Sequence, residues 1–252
     1  MIALWGFMAK SEDRSFPIIF KAVSKNFFNI LIHYPKMIYM SLHPHKYSPE
    51  EQYDYCVKLI KLLIDTCHVK IEAIGLENIP KEDGFFLCSN HQEKFDPLAI
   101  WYAFPRKIGV ILNDEATHRP FIREVCKLIK SQKLKNQDLH SLVKCFSEIT
   151  KDLKSGINYM IFPEGWYESE YTQLTDFRPG CFKSPQRARC KILPVALIDS
   201  YKIFDKGYKT TNSIQVRFLE PIEPEEYANL KTNEIAAIVQ SKIQEVVTEY
   251  QK

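Results

Sequence analysis

The sequence predicts an α/β protein: a mostly parallel central sheet flanked by helices, preceded by an N-terminal amphipathic two-helix segment. Three observations carry this. From residue 68 onward, short apolar runs of strand length alternate with helical stretches, the signature of a sheet with helices on its faces. Residues 1–67 show helical periodicity only. The 252 residues suffice for one α/β domain with an appendage and a substantial core. We therefore divide the chain into an N-terminal helical segment, 1–67, and an α/β domain, 68–252.

The N-terminal segment contains "FPIIFKAVSKNFFNILIHYPKMIYMSL" (16–42). Its longest run without Lys, Arg, Asp or Glu is residues 26–35, whereas a bilayer span needs about 20 residues. It reads as an amphipathic helix. Lys21, Lys25, Asn29, His33 and Lys36 share about 120° of arc at 100° per residue, and most of the rest is apolar. Pro35 should kink or divide it. Such a helix suits a membrane interface, with Phe20, Phe27, Phe28, Ile30 and Leu31 as candidate contacts; the alternative is a helix packed on the domain. Residues 1–46 carry six basic groups against Glu12 and Asp13, which favours an anionic membrane surface. A second helix, 49–67, opens with a capping box: Ser48 as N-cap, Pro49 at N1, Glu51 at N3. Tyr53, Cys56, Val57, Ile60, Leu63, Ile64 and Cys67 give it one buried stripe. The two helices together read as a membrane-docking segment.

Strands follow at 69–75, 84–90, 107–112, 157–162, 191–198 and 214–220. The second is almost wholly apolar and so central. Helices are expected at 96–104, with Asp96 as N-cap and Pro97 at N1, and at 119–130, 138–154 and 232–250. The Lys-rich "KLIKSQKLK" (127–135) reads as a solvated helix end.

Composition excludes several function classes. A net charge of +3 is too small to argue for nucleic acid. Seven scattered cysteines form no C-x-x-C pair and no zinc spacing, and read as reduced thiols in a cytoplasmic setting. Acids and lysines interrupt the first 25 residues, so no secretory signal is expected. "HPH" (43–45) lacks a clustered third ligand and reads as a turn.

Parallel sheets carry their chemistry in loops beyond the carboxyl ends of strands. Two loops qualify: "SNHQEKFD" (89–96) and "PEGW" (163–166). A chain of this composition produces a His five positions before an Asp about 0.3 times by chance, so His91 and Asp96 gain weight only from this setting. If Asp96 opens a helix and His91 lies in the loop before it, the loop can bring imidazole to carboxylate. The carboxylate then fixes one tautomer and leaves the other nitrogen as general base. With no G-x-S-x-G nucleophile, the base must activate a substrate hydroxyl directly.

"NHQEKFD" (90–96) resembles block I, Asn-His-x4-Asp, of the glycerolipid acyltransferases typified by 1-acylglycerol-3-phosphate acyltransferase. "FPEG" (162–165) resembles the start of block III, "FRPG" (177–180) its Phe-Lys-x-Gly segment, and "ILPVAL" (192–197) block IV. "NDEATHRPFI" (113–122) is a looser match to block II, through Glu115 and Pro120. The resemblance covers roughly residues 70–220, and the helix pair resembles the membrane-docking segment of bacterial members.

The resemblance implies transfer of an acyl chain from acyl-CoA or acyl-carrier protein to the free hydroxyl of a lysophospholipid, in phospholipid biosynthesis. It implies no metal or other cofactor, and a peripheral or monotopic place on the cytoplasmic face of a membrane. His91 would take the hydroxyl proton and Asp96 would orient His91. Asn90, Glu115, Glu164 and Gly165 would belong to the substrate site. Arg178 would contact phosphate, with Arg106, Arg119, Arg187 and Arg189 as rivals. Pro194 and Val195 would shape the cleft wall. The chain departs from the family in reading "EGWYES" for Glu-Gly-Thr-Arg-Ser, with Tyr167 in the arginine's place. It also has Lys133 and Lys135 near the arginine expected after block II. Two alternatives stay open: the same chemistry on another hydroxyl acceptor, and a non-catalytic lipid-binding protein.

Overall fold

Helical periodicity in the first third and strand alternation after it both materialise. The computed structural model describes residues 16–134, 138–165, 173–204 and 213–250. Helices α1 (Phe16–Lys25), α2 (Phe27–Leu42) and α3 (Pro49–Thr66) come first. Ser48 and Glu51 close the expected capping box on α3, the Glu51 carboxylate accepting the Ser48 N–H at 2.7 Å and Ser48 Oγ accepting the Glu51 N–H at 3.1 Å. The first helix divides at Asn26, not at Pro35, which stays inside α2. The reason is local. Pro35 is exposed and its ring faces outward, whereas Asn26 is buried and donates to Ala22 O and to Leu63 O of α3.

A seven-stranded sheet follows: β1 (Lys70–Ile74), β2 (Phe86–Ser89), β3 (Gly109–Asn113), β4 (Gln132–Leu134), β5 (Tyr159–Ile161), β6 (Ile192–Ile198) and β7 (Ser213–Phe218), ordered β1-β7-β6-β2-β5-β3-β4. Strands β6, β2, β5, β3 and β4 are mutually parallel, while β7 is antiparallel to β6 and parallel to β1. As its apolar sequence predicts, β2 is central, flanked by β5 and β6. Helices α4 (Asp96–Ala103), α5 (Ile122–Leu128), α6 (Leu139–Lys154), α7 (Lys183–Ala188), α8 (Pro224–Tyr227) and α9 (Thr232–Glu249) cover its faces.

Alternation along β6 shows how the sheet divides the interior. Leu193, Val195 and Leu197 face one apolar cluster, and Ile192 and Ala196 face the other. The first cluster includes Met37 and Met40 of α2 and Tyr53, Cys56, Leu59, Ile60 and Ile64 of α3. Helices α2 and α3 thus share the core of the sheet. Emptying one such site, as in Ile60→Ala, should cost about 2–5 kcal/mol.

Strand β4 corrects the reading of 127–135 as a helix end. The helix stops at Leu128, and Lys130 takes a left-handed φ of 54°. Gln132 and Leu134 then turn partly inward while Lys133 stays exposed, a short lysine-bearing edge strand.

At the amino ends of the strands the buried Asn158 staples three segments. Its Oδ1 accepts the N–H groups of Gly84 (2.7 Å) and Phe85 (3.2 Å), and its Nδ2 donates to Asp83 and to Lys107 O. The opposite edge holds β2, β5, β3 and β6 carboxyl ends side by side. Loops 90–95, 162–165, 114–118 and 199–204 therefore converge there.

Candidate active site

The loop after β2 is built around one buried carboxylate. Asp96 is wholly inaccessible, a position that costs several kcal/mol for an ionised group unless hydrogen bonds replace its water. Here they do. Its Oδ2 accepts His91 Nδ1 at 2.7 Å, the Gln92 N–H at 2.5 Å and the Glu93 N–H at 2.9 Å. Its Oδ1 accepts the Ser200 hydroxyl at 2.5 Å. These bonds correct the expectation that Asp96 is an N-cap. It is the first residue of α4, Phe95 holds the cap position without a side-chain bond, and the carboxylate turns back to close the preceding loop. Tertiary demand for an acceptor outcompetes local capping.

The His91 side chain is 16% exposed and stacks on Phe162, ring centroids 4.4 Å apart at 26°. Nδ1 of the ring is committed to Asp96. The imidazole and carboxylate expected from the sequence do meet.

Glu164 joins the two loops. Its Oε1 accepts the His91 N–H at 2.7 Å, and its Oε2 accepts both the Thr175 N–H and the Thr175 hydroxyl at 2.8 Å. Burial raises its pKa above the ordinary carboxylate value, and the bonds from His91 and Thr175 partly oppose that rise. Gly165 follows with φ +75°, a left-handed turn that favours glycine. A Cβ there would also lie 2.6 Å from Cζ of Arg178. Arg178 is exposed against this turn, and its N–H donates to Pro163 O at 3.0 Å. His91, Asp96, Glu164, Gly165 and Arg178 are thus assembled at one edge of the sheet.

Other expected site residues are placed differently. Asn90 is buried, with Nδ2 donating to Leu197 O (3.0 Å) and Oδ1 accepting the Leu197 N–H (2.7 Å). It is a strut between loop and β6 instead of a substrate contact, because both ends of its amide are spent on backbone. Pro194 lies within β6, opposite Cys88 of β2, and is buried along with Val195. Both side chains are closed off from solvent, so neither presents a surface to a cleft. Glu115 is exposed on the 3₁₀ turn Asp114–His118, and among the described residues its carboxylate makes no bond to the Asn90–Asp96 loop. Of the rival cations, Arg106 is held by Asp83 (2.9 Å) and by the carbonyls of Lys81 and Pro80, far into a structural role. Trp166, Tyr167 and Lys135 lie outside the described residues.

Among the proposed membrane contacts, Phe20, Phe27, Phe28 and Leu31 are exposed, Phe28 by 74%. Ile30 is half-buried and does not belong to that row. Ile32 and Leu42 extend it, with Lys21, Lys25 and Lys36 exposed beside it. The rest of the expected polar stripe packs on α3: His33 Nδ1 bonds Tyr55 Oη at 3.1 Å and Asn29 donates to Thr66. Among the described residues no helix is long and apolar enough to cross a membrane, and no cluster of three metal-ligating side chains occurs.

Sequence reasoning missed Ser200, Gln92, Thr175 and Phe162. Ser200 left one legible signal: with Asp199 it is the first polar residue after the apolar β6, at the same carboxyl edge as His91.

The probable 1-acyl-sn-glycerol-3-phosphate acyltransferase of Mycoplasma pneumoniae is 24% identical over 224 residues, 82% of each chain. The 1-acyl-sn-glycerol-3-phosphate acyltransferase of Borreliella burgdorferi is 25% identical over 157 residues, 62% of each. The crystal structure of the 1-acyl-sn-glycerophosphate acyltransferase of Thermotoga maritima superposes with a TM-score of 0.72 at 19% identity, covering 94% of this chain and 98% of that one, and so shares the fold. The family model described as Acyltransferase matches residues 70–198, a span that opens at β1, closes at the end of β6 and contains the His91–Asp96 pair, and the chain belongs to the acyltransferase family.

Proposed function

We propose that the chain transfers a fatty acyl group from acyl-CoA or acyl-carrier protein to the free hydroxyl of 1-acylglycerol-3-phosphate, yielding phosphatidic acid. The 2.7 Å bond from His91 Nδ1 to a fully buried Asp96, at the carboxyl edge of a parallel sheet, carries this reading. His91 Nε2 takes the acceptor's hydroxyl proton as the oxygen attacks the thioester carbonyl. The C–O bond forms, the C–S bond breaks, and the imidazolium returns its proton to the departing thiolate. Asp96 orients the ring and balances its transient positive charge. Arg178, exposed beside Gly165, meets the acceptor's phosphate in this reading, and Glu164 ties together the two loops through His91 and Thr175. Naming of the similar Mycoplasma and Borreliella proteins for this activity supports the choice of acceptor.

Membrane docking through α1 and α2 belongs to the same reading, on the cytoplasmic face. Exposed Phe20, Phe27, Phe28, Leu31, Ile32 and Leu42 beside exposed lysines suit an anionic interface. In this reading residues 1–67 dock and residues 68–252 carry the chemistry. Substitution tests this better than truncation, because Met37 and Met40 belong to the core. Phe28→Asp with Leu31→Asp should lower sedimentation with anionic liposomes while leaving Tm unchanged; undiminished binding removes the docking role.

The activity test uses purified protein in mixed micelles, lysophosphatidate, and each donor class in turn, with product read by mass spectrometry. Phosphatidate should form and should vanish in His91→Ala. An inactive wild type with both donors, or a stronger preference for another lysolipid, overturns the assignment of acceptor.

A further inference from the structure

We infer that Ser200 is a positioning residue for the His91–Asp96 pair, acting from the turn just after β6 through a hydrogen bond to the side of Asp96 that His91 does not use. This rests on the reading of His91 as the base. The geometry is specific. Oδ2 of Asp96 already receives three N–H groups, from His91, Gln92 and Glu93. Among the described residues, the donor to Oδ1 is the Ser200 hydroxyl, at 2.5 Å from a residue that is itself 0% exposed. That hydroxyl also lies 2.9 Å from Gln92 Oε1, but a single proton prefers the charged acceptor. Gln92 Oε1 is met instead by the Ser200 N–H at 3.1 Å. One residue thus fixes both the carboxylate and the loop that carries it.

The backbone delivers Ser200 to this place deliberately. Asp199 adopts a left-handed φ of 65°, tied down by a 2.7 Å ion pair with Lys202, and this bend turns the chain at the end of β6 over the Asn90–Asp96 loop. Three residues earlier, Leu197 grips Asn90 through both backbone groups. Strand β6 therefore sets the height of the loop through Asn90, and the turn just after it sets the rotation of the Asp96 carboxylate through Ser200.

The consequence is electronic as well as steric. An O–H donor on Oδ1 draws charge away from Oδ2, the oxygen facing His91. Without it, the carboxylate is both less constrained and a stronger acceptor toward His91 Nδ1. Other charged groups near His91 are Glu164 from the loop after β5, which bonds its N–H, Glu93 and Lys94 on its own loop, and Arg178 beside Gly165. None of them touches Oδ1.

The test compares wild type, Ser200→Ala and Ser200→Thr by two readouts. In steady-state acyl transfer, Ser200→Ala should lower kcat about ten- to a hundredfold with KM within about twofold, the pattern of a misoriented base, and Ser200→Thr should restore most of it. In histidine ¹⁵N NMR, with His91 identified by His91→Gln, the Nδ1 resonance that reports the bond to Asp96 should move in Ser200→Ala and return in Ser200→Thr. Should Ser200→Ala not fold, Ser200→Cys, nearly isosteric and a poor donor, replaces it in both. An unmoved Nδ1 resonance, or kcat within twofold of wild type, overturns the proposal. An inactive wild type would instead overturn the acyl-transfer reading, and the Nδ1 resonance would still decide the role of Ser200.

Discussion

Two buried polar clusters sit at opposite ends of the same strands, and they are built from different materials. At the amino edge, Asn158 spends a neutral amide on Gly84, Phe85, Lys107 and Asp83. At the carboxyl edge, Asp96 spends a full charge on His91, Gln92, Glu93 and Ser200. A neutral amide saturated by mostly backbone groups has nothing left to exchange with a substrate; its worth is stability. A buried carboxylate is a costly way to tie a loop, and it is retained where a nearby ring must be oriented and its charge balanced. The difference separates scaffold from chemistry without reference to motif.

Substitutions should split along this line. His91→Ala should abolish acyl transfer, a loss of about a thousandfold or more, and lower Tm only modestly in thermal unfolding, since Asp96 Oδ2 keeps the Gln92 and Glu93 N–H groups while the ring's contact with Phe162 is lost. Asp96→Asn should come next, at about a hundredfold or more in kcat. Its amide can turn Nδ2 toward the Ser200 oxygen and keep the loop folded, but it no longer balances an imidazolium. A variant that lost stability in proportion to activity would erase the distinction between the two edges.

Glu164→Gln should have a smaller effect, about tenfold in kcat/KM, because an amide can satisfy only one side of the clamp between His91 and Thr175. Its pH signature is opposed. Burial raises the folded-state pKa of Glu164 above its unfolded value, so the folded protein binds this proton more readily, and the group's contribution to stability increases as pH falls through the raised pKa. Activity should fall over the same window, because a protonated carboxyl presents a donor where donors already point. Denaturant unfolding and rate measurements across that window should therefore move in opposite directions in the wild type, and Glu164→Gln should flatten both.

The smallest effect on turnover belongs to the amino edge. Asn158→Ala should leave kcat of the folded enzyme within twofold while lowering stability by about 3 kcal/mol, as buried N–H groups of Gly84 and Phe85 lose their acceptor. Urea unfolding alongside kinetics would show it. A large drop in kcat there would mean that the two ends of the sheet are coupled.

The exposed face of the N-terminal helices teaches a related lesson. Periodicity identified an amphipathic helix, but two of the five residues of its polar arc, Asn29 and His33, bond to α3. Phe20, Phe27, Phe28 and Leu31 are exposed, whereas Ile30 is half-buried. A helical wheel records which residues share a side, and only packing shows which side a neighbouring helix covers.

The sequence by itself determined the alternation of strands and helices, the capping box at Ser48, the central place of β2, and the pairing of His91 with Asp96. Each of these depends on residues close in the chain, or on apolar patterns whose periods differ between helix and strand. Only the tertiary structure decided that Asp96 closes a loop instead of capping α4, that Asn90 and Pro194 serve the scaffold, and that 132–134 joins the sheet as an edge. It alone brought Ser200, over a hundred residues away in the chain, to the unused oxygen of Asp96. Those outcomes depend on which buried donor finds which buried acceptor across the fold, a competition that burial makes energetically decisive and that chain-local pattern does not encode.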